Sequence, residues 1–127
     1  MTEELVLIVD DNAKNVKLAR DVLRFAGFRT LETASGGESV SLAVEHLPDV
    51  ILMDIRLPDM DGTDAVRKLK NDPRTAQIPV VAVTSFAMKG DRERFLAEGF
   101  DGYLEKPISV REFPEQVRSY CEAEEAP

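Results

Sequence analysis

Apolar residues in this chain come in short unbroken runs, and each run ends on a polar residue able to do chemistry. Residues 5–9 (Leu-Val-Leu-Ile-Val) stop at Asp10-Asp11, residues 50–53 (Val-Ile-Leu-Met) at Asp54, and residues 79–83 (Pro-Val-Val-Ala-Val) at Thr84-Ser85; residues 101–105, more polar, read as a further strand that ends on Lys106-Pro107. A run without polar alternation reads as a strand buried on both faces. Residues 29–33 are half polar and read as a strand in an outer position.

Between these runs the apolar residues recur at helical spacing. Val16, Ala19, Val22, Leu23 and Ala26 mark a helix over residues 13–26, with Asn12 or Asp11 to cap its start and Gly27 to stop it. Ser35-Gly36-Gly37 opens a second helix running to about His46, with Val40, Ala43, Val44 and Leu47 facing inward. Residues 63–71 form a short third helix with Ala65, Val66 and Leu69 inward, ended by Asp72-Pro73. The fourth, residues 87–98, is closed by Gly99 and weakened by Gly90, so low stability is expected in its first turn. Ser109-x-x-Glu112 reads as a capping box for the last helix, where Val110, Phe113, Val117 and Tyr120 share a face and Pro114 falls early enough to be tolerated. The acidic tail, residues 122–127, is expected to fray.

Five strands alternating with five helices predict an α/β fold, a doubly wound parallel sheet covered by helices on both faces. With 127 residues and 43% apolar content the expectation is one domain spanning 1–127, with its core in about residues 5–120. There is no internal repeat.

Charge narrows the function. Sixteen basic against twenty-four acidic residues give a net charge of −8, which repels a phosphate backbone and disfavours nucleic-acid binding. One cysteine, Cys121, excludes a disulfide framework and suits a reduced, cytoplasmic setting. No signal-peptide pattern opens the chain and no apolar run is long enough to cross a bilayer, so a soluble intracellular protein without membrane insertion is expected. His46 lacks a partner in the sequence and reads as a surface residue, while Met53, Met60 and Met88 read as packing residues.

Parallel sheets bind ligands at the carboxyl ends of their strands, and that rule gathers Asp10, Asp11, Asp54, Thr84 and Lys106 onto one edge. Carboxylates a few ångströms apart repel by roughly 4 kcal/mol per close pair at an effective dielectric near 20, so the cluster needs a cation. Oxygen ligands with no cysteine or second histidine to hand select a hard ion, Mg²⁺, and Lys106 supplies a fixed counter-charge. An aspartate beside Mg²⁺, a hydroxyl and an ammonium group has what a carboxylate nucleophile needs to accept a phosphoryl group.

Asp10-Asp11 after the first strand, Asp54 within Leu-Met-Asp-Ile-Arg-Leu-Pro-Asp-Met-Asp-Gly, Thr84 after the fourth and Lys106-Pro107 after the fifth resemble the receiver domain of two-component response regulators. The resemblance covers about residues 5–120 and implies a flavodoxin-like (βα)5 sandwich with strand order 2-1-3-4-5. Phe86-Ala87-Met88-Lys89-Gly90-Asp91 and Glu105-Lys106-Pro107-Ile108-Ser109 look like the single-domain regulators of bacterial cell-cycle and phosphorelay control.

By that resemblance Asp54 is the phosphoacceptor. Mg²⁺ is expected on Asp11, Asp54 and the backbone carbonyl of Arg56, with Asp10 acting mainly through bound water. Lys106, before an expected cis bond to Pro107, pairs with a phosphoryl oxygen. Thr84 is the switch hydroxyl, and Tyr103 is the aromatic that turns inward when Thr84 moves. Arg56 and Phe86, each two residues after a site residue, are where the family tunes hydrolysis, and neither offers the acid or amide that would orient water. The fourth helix, fifth strand and fifth helix, with Met88, Lys89, Gly90, Asp91 and Tyr103, form the expected output face, since no effector domain follows the last helix. The partners implied are a histidine kinase or histidine phosphotransfer protein upstream and a protein target downstream, for a monomer or weak dimer.

Three other readings compete. A haloacid-dehalogenase-type phosphatase would also use an aspartyl phosphate, but it wants a second Asp where Arg56 stands. A dinucleotide-binding module lacks its glycines in Asp-Asp-Asn-Ala-Lys-Asn after the first strand. A phosphorylation-independent scaffold of the same fold remains open.

Overall fold

The computed structural model describes residues 3–85 and 90–125. Strands β1 (Leu5–Val9), β2 (Arg29–Thr33), β3 (Val50–Asp54), β4 (Val80–Thr84) and β5 (Gly102–Glu105) alternate with helices α1 (Ala13–Phe25), α2 (Gly36–His46), α3 (Gly62–Asn71), α4 (Asp91–Glu98) and α5 (Phe113–Glu125). All strand pairs are parallel and the order is β2-β1-β3-β4-β5, as the resemblance implied.

The unbroken apolar runs exist because the sheet is buried on both sides. In β1, Leu7 and Val9 pack with Ile51, Met53, Val66, Leu69 and Phe95 on one face. Val6 and Ile8 point the other way, onto Leu23, Leu52, Val83, Phe113 and Val117. Alternate residues of one strand thus enter two cores, and each fully buried Leu, Ile or Val contributes about 1.5–3 kcal/mol. Cys121 is buried in the second of these cores.

Register fixes what stands at the sheet's carboxyl edge. Val9 pairs with Met53, so Asp10 and Asp54 leave their strands side by side. Asp54 pairs with Val83 and Thr84 with Glu105, so Thr84 and then Lys106 follow at the next steps across the edge. The opposite end is tied shut by Lys70, whose Nζ donates to the carbonyls of Ala76 (3.2 Å) and Ile78 (2.8 Å) and to Asp101 Oδ2 (2.7 Å). Asp101 also accepts the Val80 N–H at 2.8 Å, holding the starts of β4 and β5 together.

Helix boundaries follow the capping chemistry with several corrections. Asn12 is the residue that caps α1, its Oδ1 accepting the N–H groups of Lys14 and Asn15 at 3.0 and 3.2 Å. Leu47, expected on the inner face of α2, is instead its C-cap at φ 48° and is 56% exposed, because the chain must turn there to enter β3. His46 ends α2 and sits at the surface, 3.8 Å from Glu45. The described part of the fourth helix begins at Asp91, after Gly90 at φ 90°; the earlier start expected at Ala87 lies outside the described residues. Ser109 Oγ accepts the Glu112 N–H at 3.3 Å, but this caps a turn that leads into α5 at Phe113. The tail expected to fray from residue 122 continues α5 through Glu125. Among the described residues no helix is long and apolar enough to cross a membrane.

Candidate functional site

The aligned strand ends bring three acids together. Asp10 is buried, Asp54 half-buried and Asp11 exposed, and a carboxylate oxygen from each lies within 4.8 Å of the other two. Asp10 is held by its neighbour's backbone, its Oδ1 accepting the Asn12 N–H at 2.9 Å. Lys106 reaches across from β5, donating from Nζ to Asp10 Oδ2 at 2.7 Å and to Asp54 Oδ2 at 3.3 Å. Its peptide bond to Pro107 is cis. Its N–H donates to the Thr84 carbonyl at 2.9 Å, which ties it to the end of β4.

One ammonium group does not balance this cluster. Asp54 backs onto a small cavity of about 40 Å³ whose walls include Ile8, Leu52, Val83 and Phe113. Burial accordingly pushes the Asp54 carboxyl above the usual carboxylate range; Lys106 opposes the rise, and Asp10 adds to it. The three donors that meet here are all carboxylate oxygens, with no histidine or cysteine among them, which fits a hard divalent ion and not zinc.

Above the acids opens a cleft of about 440 Å³ bounded by Asp11, Asp54, Arg56, Thr84, Asp91, Arg94 and Lys106. Thr84 is buried at its wall. Arg56 is exposed; its N–H lies 3.5 Å from Asp54 Oδ1, and it bridges to Asp61, closing the loop between β3 and α3 at its base. Gly62 completes that closure by donating to the Ile55 carbonyl at 2.6 Å, and a Cβ there would press on the Asp54 carbonyl.

Tyr103 stands on β5, half-buried, with its ring 5.8 Å from that of Phe95 and its hydroxyl 3.5 Å from Glu105 Oε1. Loss of water around the ring, with Glu105 and Asp91 nearby, raises the phenol above its ordinary value. Gly90 is exposed at the start of α4. Asp91, expected on the output face, is buried and lines the cleft instead, with Arg94 Nη2 at 3.5 Å. Phe86, Met88 and Lys89 lie outside the described residues.

Arg94, Asn15 and Phe95 also line the cleft and were not singled out in the sequence. The i,i+3 pair Asp91 and Arg94 was a readable sign for the first, but only the docking angle of α4 turns that pair toward the acids.

Comparison with known proteins agrees with this geometry. Residues 6–118 match the family model described as the response regulator receiver domain. The chain is 50% identical over 115 residues to the polar-differentiation response regulator DivK of Brucella ovis, covering 91% of this chain and 94% of that protein. It is 33% identical to the receiver domain of a sensor histidine kinase from Pseudomonas aeruginosa, solved with a magnesium ion coordinated in the active-site cleft; the TM-score is 0.87, over 95% of this chain and 99% of that one. A CheY-like receiver domain protein from Methanospirillum hungatei is 27% identical with a TM-score of 0.85, over 98% of both chains.

Proposed function

The chain belongs to the response regulator receiver domain family, and from that premise we propose that it acts as a single-domain response regulator accepting a phosphoryl group on Asp54. The observation that carries this reading is the meeting of Asp10, Asp11 and Asp54 within 4.8 Å, bridged by Lys106.

The donor is a phosphohistidine on a histidine kinase or histidine phosphotransfer protein. An Asp54 carboxylate oxygen attacks phosphorus, the O–P bond forms as the N–P bond breaks, and the released imidazole takes up a proton. Asp11, Asp54 and the Arg56 backbone carbonyl would hold Mg²⁺, with Asp10 contributing through water; the ion supplies neutralising charge for the transferring phosphoryl group. Lys106 turns from the carboxylates toward a phosphoryl oxygen and offsets the rest. No group of the protein is consumed other than the acceptor, so the chain is a phosphoacceptor that assists its own modification rather than an enzyme with turnover on an external substrate.

Phosphorylation adds charge and acceptor oxygens at the mouth of the cleft. The Thr84 hydroxyl moves to donate to them, and Tyr103 takes up the vacated volume. Tyr103 packs on Phe95 of α4, so its rotation changes the face made by α4, β5 and α5. A downstream protein that prefers the altered face reads the state. The likeness to a polar-differentiation response regulator supports a role in bacterial signalling. The net charge of −8 favours protein contact over nucleic acid, and the reading places the chain in a cytoplasmic phosphorelay as a monomer or weak dimer. Arg56 and Phe86, two residues after Asp54 and Thr84 in the sequence, offer no acid or amide to orient the hydrolysing water, which favours a long-lived phosphoryl state.

The test is transfer of labelled phosphate from a phosphorylated histidine phosphotransfer protein. The label moves to the wild-type chain only with Mg²⁺ and does not move to Asp54→Asn. A chain that binds such a donor without ever taking label is a scaffold and not an acceptor.

A further inference from the structure

The geometry points to Asp59 as a positioning residue that holds the metal-binding loop between β3 and α3 in register with the acid cluster. The inference rests on the reading of the Arg56 backbone carbonyl as a metal ligand.

Asp59 lies five residues beyond Asp54, at the tip of a loop with no regular structure between Leu57 and Met60. Its carboxylate crosses to the start of α2. Oδ1 accepts the Gly36 N–H at 2.8 Å, while Oδ2 accepts the Gly37 N–H at 2.9 Å and the Ser35 hydroxyl at 3.0 Å. Three donors on one carboxylate hold its proton affinity below the ordinary carboxylate range, so it is ionised across the physiological range.

A helix start has several N–H groups without intrahelical partners, and local caps usually satisfy them. In α2, Ser35 supplies the local cap, its Oγ accepting the Glu38 N–H at 3.1 Å. The first two N–H groups of α2 are met instead by a residue from the loop that follows the proposed acceptor. Apolar contact seals the same junction: a Cβ on Gly36 would lie 2.6 Å from Met60 Cγ and 3.3 Å from Leu57 Cδ1, so this glycine is what lets the loop seat against the helix.

The loop is therefore held at two points. Its base closes through Arg56 and Asp61 and through Gly62 onto Ile55. Its tip is held through Asp59. Arg56 is itself one side of that base, two residues beyond Asp54, and a carbonyl in a loop held at base and tip loses little freedom when it meets an ion. A residue outside the ligand set that orients a ligand is worth about tenfold or more in metal affinity.

The experiment is calorimetric titration of Mg²⁺ into the metal-free protein, with no phosphodonor, for wild type, Asp59→Ala, Asp59→Asn and Asp11→Asn. Amide exchange of Gly36 and Gly37 is followed in parallel. Asp59→Ala should bind Mg²⁺ about tenfold more weakly and lose protection at both glycines. Asp59→Asn keeps one acceptor oxygen and should fall between the two. If Asp59→Ala does not fold, the intermediate Asp59→Asn affinity decides the matter. Wild-type Mg²⁺ affinity in folded Asp59 variants, with only a lowered melting temperature, would reduce the contact to a helix cap and overturn the inference. Undiminished binding in Asp11→Asn would overturn the metal reading itself and this inference with it.

Discussion

Lys106 Nζ stands closer to Asp10, at 2.7 Å, than to Asp54, at 3.3 Å. Both partners of the shorter contact are nearly buried, with side-chain exposures of 12% and 8%. In this state the ammonium group is chiefly the counter-ion of Asp10, and it is already within reach of the position where phosphoryl oxygens would arrive.

Removing that counter-ion should expose how much of the fold it holds. Lys106→Ala leaves three carboxylates with no internal cation, and a buried charge stripped of its partner costs about 3 kcal/mol. Denaturant unfolding in chelator should show a loss of that order, and excess Mg²⁺ should recover most of it. Equal stability of variant and wild type in chelator would mean that the acids are not mutually strained.

The raised proton affinity of Asp54 gives a second, pH-dependent expectation. Its folded form binds a proton more readily than the unfolded chain does. Stability of the metal-free protein therefore falls as pH rises from the ordinary carboxylate value through the raised folded one, and the penalty is complete above that. Asp54→Asn removes it. The variant should be more stable than wild type at neutral pH in chelator. The gain should vanish below about pH 4, where both states of the wild type are protonated. A variant less stable than wild type at neutral pH would mean that the ionised Asp54 carboxylate favours the fold, the reverse of a burial penalty.

The phosphoryl state should be slow to hydrolyse. Arg56 is exposed at the cleft and carries no group able to orient an attacking water as a base. Label on the isolated protein should persist for minutes in Mg²⁺ buffer, whereas loss within seconds would show that another group activates the water.

Much of this architecture was legible in the chain. Two-sided burial forces continuous apolar strands, so Leu5, Val50 and Val80 announced β1, β3 and β4, and parallel pairing then fixed where Asp10, Asp54, Thr84 and Lys106 would meet. Features set by packing angle were not legible. Leu47 looks apolar enough to bury but is spent on a left-handed turn. Asp91 belongs to an exposed-looking run, Asp-Arg-Glu-Arg, and only the seating of α4 turns it into the cleft. Asp59 reads as one acid among several in a turn, since nothing local reveals that its partners lie more than twenty residues earlier.

The most direct measurement of the central claim is the intact mass of the protein after incubation with a small phosphodonor, with and without Mg²⁺, for wild type and Asp54→Asn. Wild type should gain the mass of one phosphoryl group only when Mg²⁺ is present, and Asp54→Asn should gain none. An equal gain in both proteins would place the acceptor elsewhere and contradict the account.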